Sequence, residues 1–310
     1  MAINNESGSH NGRFRIMITM DKDKCIRCAR CEAVCPALAI EKVGKDYVFA
    51  HPNACISCYH CVAVCPADAV TCDEFPLEAF ELIGTRKPAT AAAARNLIMQ
   101  RRSVREFKNK PVPRKLIEDL VSIALHAPTG RNAQGVHVTV ITDADLINKV
   151  DKRITRTFEA IASLIENPMA EEILKTLAGR ESGERVLEQK NILRRASEAG
   201  EPRSMLVFRG APVLVLAHSA PGGGMIARDD ANIAMTTMML AANAHGLGAT
   251  WIGYIVGAAK IDPTLKRRLG IPMRHSLDSA FILGWPKYSY KRLIPRSVKN
   301  VKWIEPKNKE

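Results

Sequence analysis

Two runs of cysteine constrain this chain more than any other feature. Cys25, Cys28, Cys31 and Cys35 precede Pro36, and Cys55, Cys58, Cys61 and Cys65 precede Pro66, so each run reads C-x-x-C-x-x-C-x-x-x-C-P. The second run begins 30 residues after the first, and residues 37–40 (ALAI) are echoed by residues 67–70 (ADAV). This is an internal repeat of a whole binding unit, and it uses eight of the nine cysteines. A 4Fe–4S cubane presents thiolate sites at tetrahedral corners, and two-residue gaps let a single loop reach three of them. Disulfide frameworks belong to secreted chains, and zinc sites use pairs of Cys or His separated by longer gaps, so both suit the pattern poorly. The expectation is two 4Fe–4S clusters.

The runs resemble those of bacterial two-cluster ferredoxins, in which the fourth cysteine of each run ligates the other cluster. The resemblance implies one cluster on Cys25, Cys28, Cys31 and Cys65, and a second on Cys55, Cys58, Cys61 and Cys35. That exchange would staple the two halves together. His60, between Cys58 and Cys61, is surplus to a complete thiolate set and is expected to be a solvated loop residue. Cys72, the ninth cysteine, lies in a strand-like AVTC stretch and reads as a small buried hydrophobe.

The repeat occupies about 60 residues, and 310 residues leave room for a second, larger fold. No apolar signal stretch opens the chain, and no run approaches the roughly 18 apolar residues of a spanning helix. The expectation is a soluble, cytoplasmic protein with no membrane span. The net charge of +13 divides unevenly. Residues 1–85 carry eight Lys or Arg against eleven Asp or Glu, a balance of −3, which leaves +16 for the remainder. A basic surface of this kind suits phosphates, acidic substrates or an acidic redox partner. Nucleic acid is not expected as a partner, since aromatic residues make up only 5% and no base-stacking motif accompanies the charge.

Along the chain, residues 1–14 read as a disordered polar terminus, 15–72 as the cluster unit and 73–95 as a connector, leaving 96–310 for an α+β domain. An alanine-rich stretch at the end of the connector opens a helix reaching Arg101. A helical stripe follows at 114–126 and a strand at 136–141. Residues from about 150 to 208 are charged and helical in period, the pattern of a helical lid or insertion. Residues 212–218 (PVLVLAH) read as a buried strand and 230–245 as an apolar helix capped by Asp230 and stopped by Gly246. Short strands are expected at 250–255 and 279–283. Met235, Met238 and Met239 on that helix read as core, and 222–224 as a glycine loop.

Residues 101–107 spell R-R-S-V-R-E-F, with three guanidiniums and a hydroxyl within five residues. Arginine forks pair bidentately with phosphate oxygens. Three further segments occur in order: A-P-T-G-R-N-A-Q at 127–134, A-H-G-L-G-A-T-W-I-G at 244–253, and L-G-W-P at 283–286 followed by K-R-L-I-P-R at 291–296. As a set they resemble the nitroreductase family of FMN flavoproteins, in the branch with an N-terminal two-cluster ferredoxin domain. The resemblance covers roughly residues 90–300 and implies a small bacterial-ferredoxin-like domain fused to an FMN-dependent, nitroreductase-like α+β domain.

The resemblance also implies residue roles. Arg101, Arg102, Ser103 and Arg105 would hold the FMN phosphate and ribityl chain, with Arg292 or Arg296 completing the phosphate site. Pro128, Thr129, Gly130 and Asn132 would approach the isoalloxazine ring from the partner subunit of a homodimer. Thr250, Trp251, Ile252 and Gly253 would run along the ring with backbone N–H groups available to a reduced, anionic flavin. After Gln134 this chain has Gly135 and Val136 where many members have Pro and Trp. No side-chain acid or base is identifiable.

Clusters carry one electron at a time, whereas FMN accepts electrons singly and delivers a pair. The leading expectation is therefore an oxidoreductase that passes electrons through its own clusters to FMN and on to a small organic acceptor, nitroaromatic or other. The donor would be ferredoxin, flavodoxin or NAD(P)H. The rival is an electron-transfer module between protein partners, with the acidic and basic halves as docking surfaces. A scaffold with a vestigial flavin site fits poorly beside the intact arginine cluster.

Overall fold

The fold was obtained as a computed structural model and is described for residues 17–85, 87–164, 207–224, 226–297 and 301–305. The expected disordered terminus at 1–14 and most of the expected lid at 150–208 lie outside the described residues.

Residues 17–80 form the smaller unit. β1 (Ile18–Met20) pairs antiparallel with β4 (Val70–Cys72), joining the start of the unit to its end, and β2 (Ile40–Val43) pairs with β3 (Asp46–Phe49) as a hairpin. Between them sit two one-turn helices, α1 (Arg30–Ala33) and α2 (His60–Ala63), each starting between the second and third cysteines of its run. Ile18, Ile40, Tyr47, Val62 and Val70 close a small core. So small an apolar core is of the kind that a bound group cross-linking the loops would reinforce. His60 is exposed, but it opens α2 where a loop residue was expected, and Cys72 is half-buried with its thiol 3.5 Å from the Phe75 carbonyl.

The larger unit is a four-stranded antiparallel sheet between two helical layers. β5 (Val136–Ile141), β6 (Val213–Ser219), β7 (Gly248–Trp251) and β8 (Ser276–Gly284) line up in the order β5-β6-β8-β7. β6 is buried along its whole length, as its unbroken apolar run requires of a central strand covered on both faces. Its alternation sorts the core. Leu214 and Leu216 face α5 (Ala144–Leu164), α7 (Gly253–Ile261) and α8 (Thr264–Arg268). Val213, Val215 and Ala217 face α4 (Arg114–Ala124) and α6 (Ala227–Ala244). Met235, Met238 and Met239 are fully inside that second layer. α3 (Ala91–Gln100) is capped by the Thr90 hydroxyl, which accepts from the Ala93 N–H at 3.1 Å.

Two expectations need correction. The helix of Asp230 begins at Ala227, so Asp230 lies inside the first turn and does not cap it. The strand expected at 250–255 is Gly248–Trp251, and from Gly253 the chain is helical. The apolar run W-I-G-Y-I-V is compatible with either state, and pairing with β8 ends it as a strand at Trp251.

Candidate functional site

The repeat is written in the backbone as well as in the cysteines. Arg27 and Ser57, Ala29 and Tyr59, and Leu38 and Asp68 are pairs at 30-residue spacing, and all six take left-handed φ, from 49° to 61°. Such φ costs a non-glycine residue about 1 kcal/mol or more, so the loops are held against strain. They enclose two small cavities, each of about 20 Å³. Cys25, Cys28, Cys31 and Cys65 line the first, and Cys35, Cys55, Cys58 and Cys61 line the second. Three cysteines of one run meet the last cysteine of the other, which is the arrangement the ferredoxin resemblance implies.

The donor chemistry fits a cationic inorganic cluster. Burial pushes the Cys61 thiol up to about 12, with repulsion from Cys55, Cys58 and Cys35 adding to it. Cys31 and Cys55 are raised first by burial as well. Four thiols cannot ionise together in so small a space without bound cations. Among the described residues no three or more His, Cys, Asp or Glu side chains converge on one ion position. A cubane does not ask them to, because each thiolate binds its own iron. The N–H groups of Ala39 and Ala69 donate to the sulfurs of Cys35 and Cys65 at 3.3 Å each, and Ser57 donates to Cys55 at 3.4 Å.

In the larger unit, residues 101–108 run off the end of α3 along the edge of β7. Ser103 bridges Ala249 in parallel, the Val104 N–H donates to the Ala249 carbonyl at 3.1 Å, and Lys108 donates to Trp285 at 2.8 Å. Two glycines permit the close approach. A Cβ on Gly248 would lie 2.5 Å from Val104, and one on Gly284 would lie 2.8 Å from Phe107. The segments at 101–107, 244–253 and 283–296 therefore form one continuous surface.

Its cleft, of about 800 Å³, has Arg102, Lys108, Lys287, Lys291 and Arg292 among its lining residues, a set of cations suited to an anion. Arg101 Nη1 and Arg102 Nε are buried with no hydrogen-bond partner among the described residues. Elsewhere the Arg102 fork is already engaged, donating to the carbonyls of Met99 at 2.7 Å, Arg101 at 2.9 Å and Arg292 at 3.2 Å. Arg102 thus ties the C-terminal segment to the end of α3. Arg105 donates to the Ser103 carbonyl at 3.3 Å. Arg292 lines the cleft and Arg296 does not.

Within 250–253 the N–H of Ile252 donates to the Ala280 carbonyl at 2.9 Å, so it is not available to a flavin as the resemblance implied. Thr250 is buried, Trp251 is partly exposed and Gly253 opens α7.

The loop at 127–134 does not line this cleft. Its Gly130 N–H donates to Asp230 Oδ1 at 2.9 Å, which is what the buried Asp230 does in place of capping α6. Gln134 N–H closes the loop on the Thr129 hydroxyl at 3.0 Å, and Pro128 is exposed. Asn132 donates both protons of its amide to the cluster loop, to Ile56 O at 3.0 Å and Ser57 O at 2.8 Å. Neither role was readable from sequence, because each partner lies 75 or more residues away.

A ferredoxin-type unit with two four-cysteine cavities, joined to a layered α+β unit with a cation-lined cleft, has the parts of a redox protein. The nitroreductase family model matches residues 98–285, and a 4Fe-4S dicluster domain model matches residues 24–70. The chain belongs to the nitroreductase family. It is similar to nitroreductase NfnB of Mycolicibacterium smegmatis, at 26% identity over 205 residues, covering 63% of this chain and 87% of that protein. Its fold is similar to that of a nitroreductase with bound FMN from Bacteroides fragilis, with a TM-score of 0.50 and 22% identity over 68% of this chain and 97% of that one. It is likewise similar to a BluB-like flavoprotein from Clostridium difficile, with a TM-score of 0.51 and 21% identity over 68% and 99% of the respective chains.

Proposed function

We propose that this protein is an iron–sulfur flavoprotein oxidoreductase that draws single electrons through two 4Fe–4S clusters into FMN and passes them as pairs to a small organic acceptor. The observation that carries the reading is the pair of four-cysteine cavities, each completed by the last cysteine of the other run, in a chain whose larger unit is a nitroreductase. The buried Arg101 Nη1, which has no hydrogen-bond partner among the described residues, supports an FMN phosphate at the 101–105 segment, although Arg101, Ser103 and Arg105 do not line the cationic cleft. Arg101, Ser103, Arg105 and Arg292 would hold the phosphate and ribityl chain, and Arg102 would fix their positions. FMN supplies the step from one-electron to two-electron chemistry. Thr250, Trp251 and Gly253 would border the ring edge.

A homodimer completes the reading. The resemblance gives each ring pocket the partner's Pro128, Thr129 and Gly130. Ile98, Met99, Ile233 and Trp251 are large apolar side chains left exposed on the chain alone, as an unpaired interface would leave them. The donor is a low-potential carrier such as ferredoxin or flavodoxin, or NAD(P)H, and the acceptor class is nitroaromatic or another reducible small molecule. No helix among the described residues is long and apolar enough to cross a membrane.

The test is anaerobic purification with iron, sulfide and flavin counted on one sample. About eight irons and one FMN per chain are expected. Iron without flavin would refute the enzyme reading and favour a module that passes electrons between proteins.

A further inference from the structure

The two cluster loops are copies of one another, so their surroundings can be compared position by position. In the first copy Ile26, Arg27 and Cys28 are exposed, Ile26 at 64%. In the second copy Ile56, Ser57 and Cys58 are half-buried. What reaches the second loop and not the first is the 127–134 segment, through the two hydrogen bonds of Asn132. Asn132 is itself held at φ 53°, between Arg131 at 51° and Gln134 at 44°, so three side-chain-bearing residues of one short loop are left-handed. Strain concentrated in this way marks a segment whose shape is held for a purpose.

The bonds also have a direction. Ile56 C=O and Ser57 N–H belong to the same peptide unit. Asn132 donates to its oxygen at 3.0 Å, and its N–H donates to Cys55 Sγ at 3.4 Å. Donation at one end of a peptide strengthens donation from the other. Hydrogen bonds to ligand sulfurs help set a cluster's reduction potential, because they stabilise its more negative, reduced state.

We infer that Asn132 is a positioning residue that clasps the Cys55, Cys58, Cys61 and Cys35 cluster to the flavin unit, raises that cluster's potential, and makes it the one that delivers electrons to FMN. This rests on the iron–sulfur flavoprotein reading above. The cluster on Cys25, Cys28, Cys31 and Cys65 is then the entry point, where the exposed loop at Ile26 to Cys28 meets a one-electron, low-potential carrier. Each electron oxidises the carrier by one and reduces the first cluster. It passes down the potential step to the second cluster and from there to FMN. Two such electrons with the accompanying proton give reduced flavin.

The test uses anaerobic holoprotein in wild-type, Asn132→Asp and Asn132→Gly forms. Asp keeps the side-chain shape without its two donors, and Gly keeps the left-handed backbone without strain, so the two separate the clasp from loop conformation. Hydrogen exchange at residues 56–59 should quicken about tenfold in both variants while residues 26–29 are unchanged. In a redox titration followed by electron paramagnetic resonance, one cluster midpoint should move down and the other stay. Unchanged exchange with unmoved midpoints would overturn the inference, as would equal loss of protection in both loops. Wild-type protein that held iron but no FMN would fail the flavoprotein reading instead, with exchange and midpoints still reporting on the clasp.

Discussion

Cys65 is far from Cys25, Cys28 and Cys31 in sequence yet lines the same cavity, and Cys35 stands in the mirror relation to the second set. Cys65→Ser and Cys35→Ser should therefore each remove one cluster, lowering iron by about half, and leave different resonance signals behind. Identical residual signals would contradict the exchange. Asp151 is a second residue with one definite job. Buried on α5, its carboxylate accepts from Phe208 N–H at 2.8 Å and Val207 N–H at 3.4 Å in the segment before β6, although burial pushes its pKa up. Asp151→Ala would strand two buried donors and should cost about 2–4 kcal/mol in urea unfolding. Arg101→Ala should weaken FMN binding about tenfold or more by removing a buried donor, read as flavin retained through dialysis. At this scale the cysteines were legible because spacing alone states their chemistry. Asn132 and Asp230 were not, because an amide or carboxylate reveals its partner only once the chain has folded.

Elements were legible where one physical signal dominated. β6 announced itself as a continuous apolar run, α4 as a helical stripe, and the methionines of α6 as core. The strand after Gly248 was misplaced because its apolar run suits both helix and strand, and β8 decides the matter by pairing. One cluster of elements escaped the sequence altogether. The ends of β5 and β6 and the turn before β8 bring His137, His218 and His275 together, with ring centroids 4.8 to 5.5 Å apart. His218 Nδ1 lies 2.8 Å from His275 Nδ1, and its Nε2 lies 3.0 Å from the Thr139 hydroxyl. Burial, then His275 and His137, hold His218 down to about 4, while Asp278 works against them. Lys266 adds to the depression at His275, which comes first from burial and next from His137. An unfolded histidine takes its proton near pH 6.5, so between there and pH 4 the unfolded chain binds more protons than the folded one. Stability is full above pH 6.5 and is lost as pH falls toward 4. The melting midpoint should drop by roughly 5 °C between pH 7 and pH 5. His218→Gln should flatten that dependence, and an equal drop in the variant would assign the effect elsewhere.

At the scale of the molecule, the acidic first 85 residues and the basic remainder are joined by a short connector and by Asn132. The larger unit has its own two-layer core, so a chain lacking residues 1–85 should remain folded, bind FMN and bleach with dithionite. A colourless or aggregated product would show that the units do not stand apart. The central claim is that clusters and flavin form one electron-conducting system in one chain. An anaerobic dithionite titration, followed by absorbance and by electron paramagnetic resonance on the same sample, tests this most directly. About four electrons per chain are expected, one for each cluster and two for FMN, with both clusters and the flavin reduced at the end point and the cluster on Cys25, Cys28, Cys31 and Cys65 reduced last. Uptake of about two electrons without a cluster signal, or of cluster electrons with the flavin band unmoved, would contradict it.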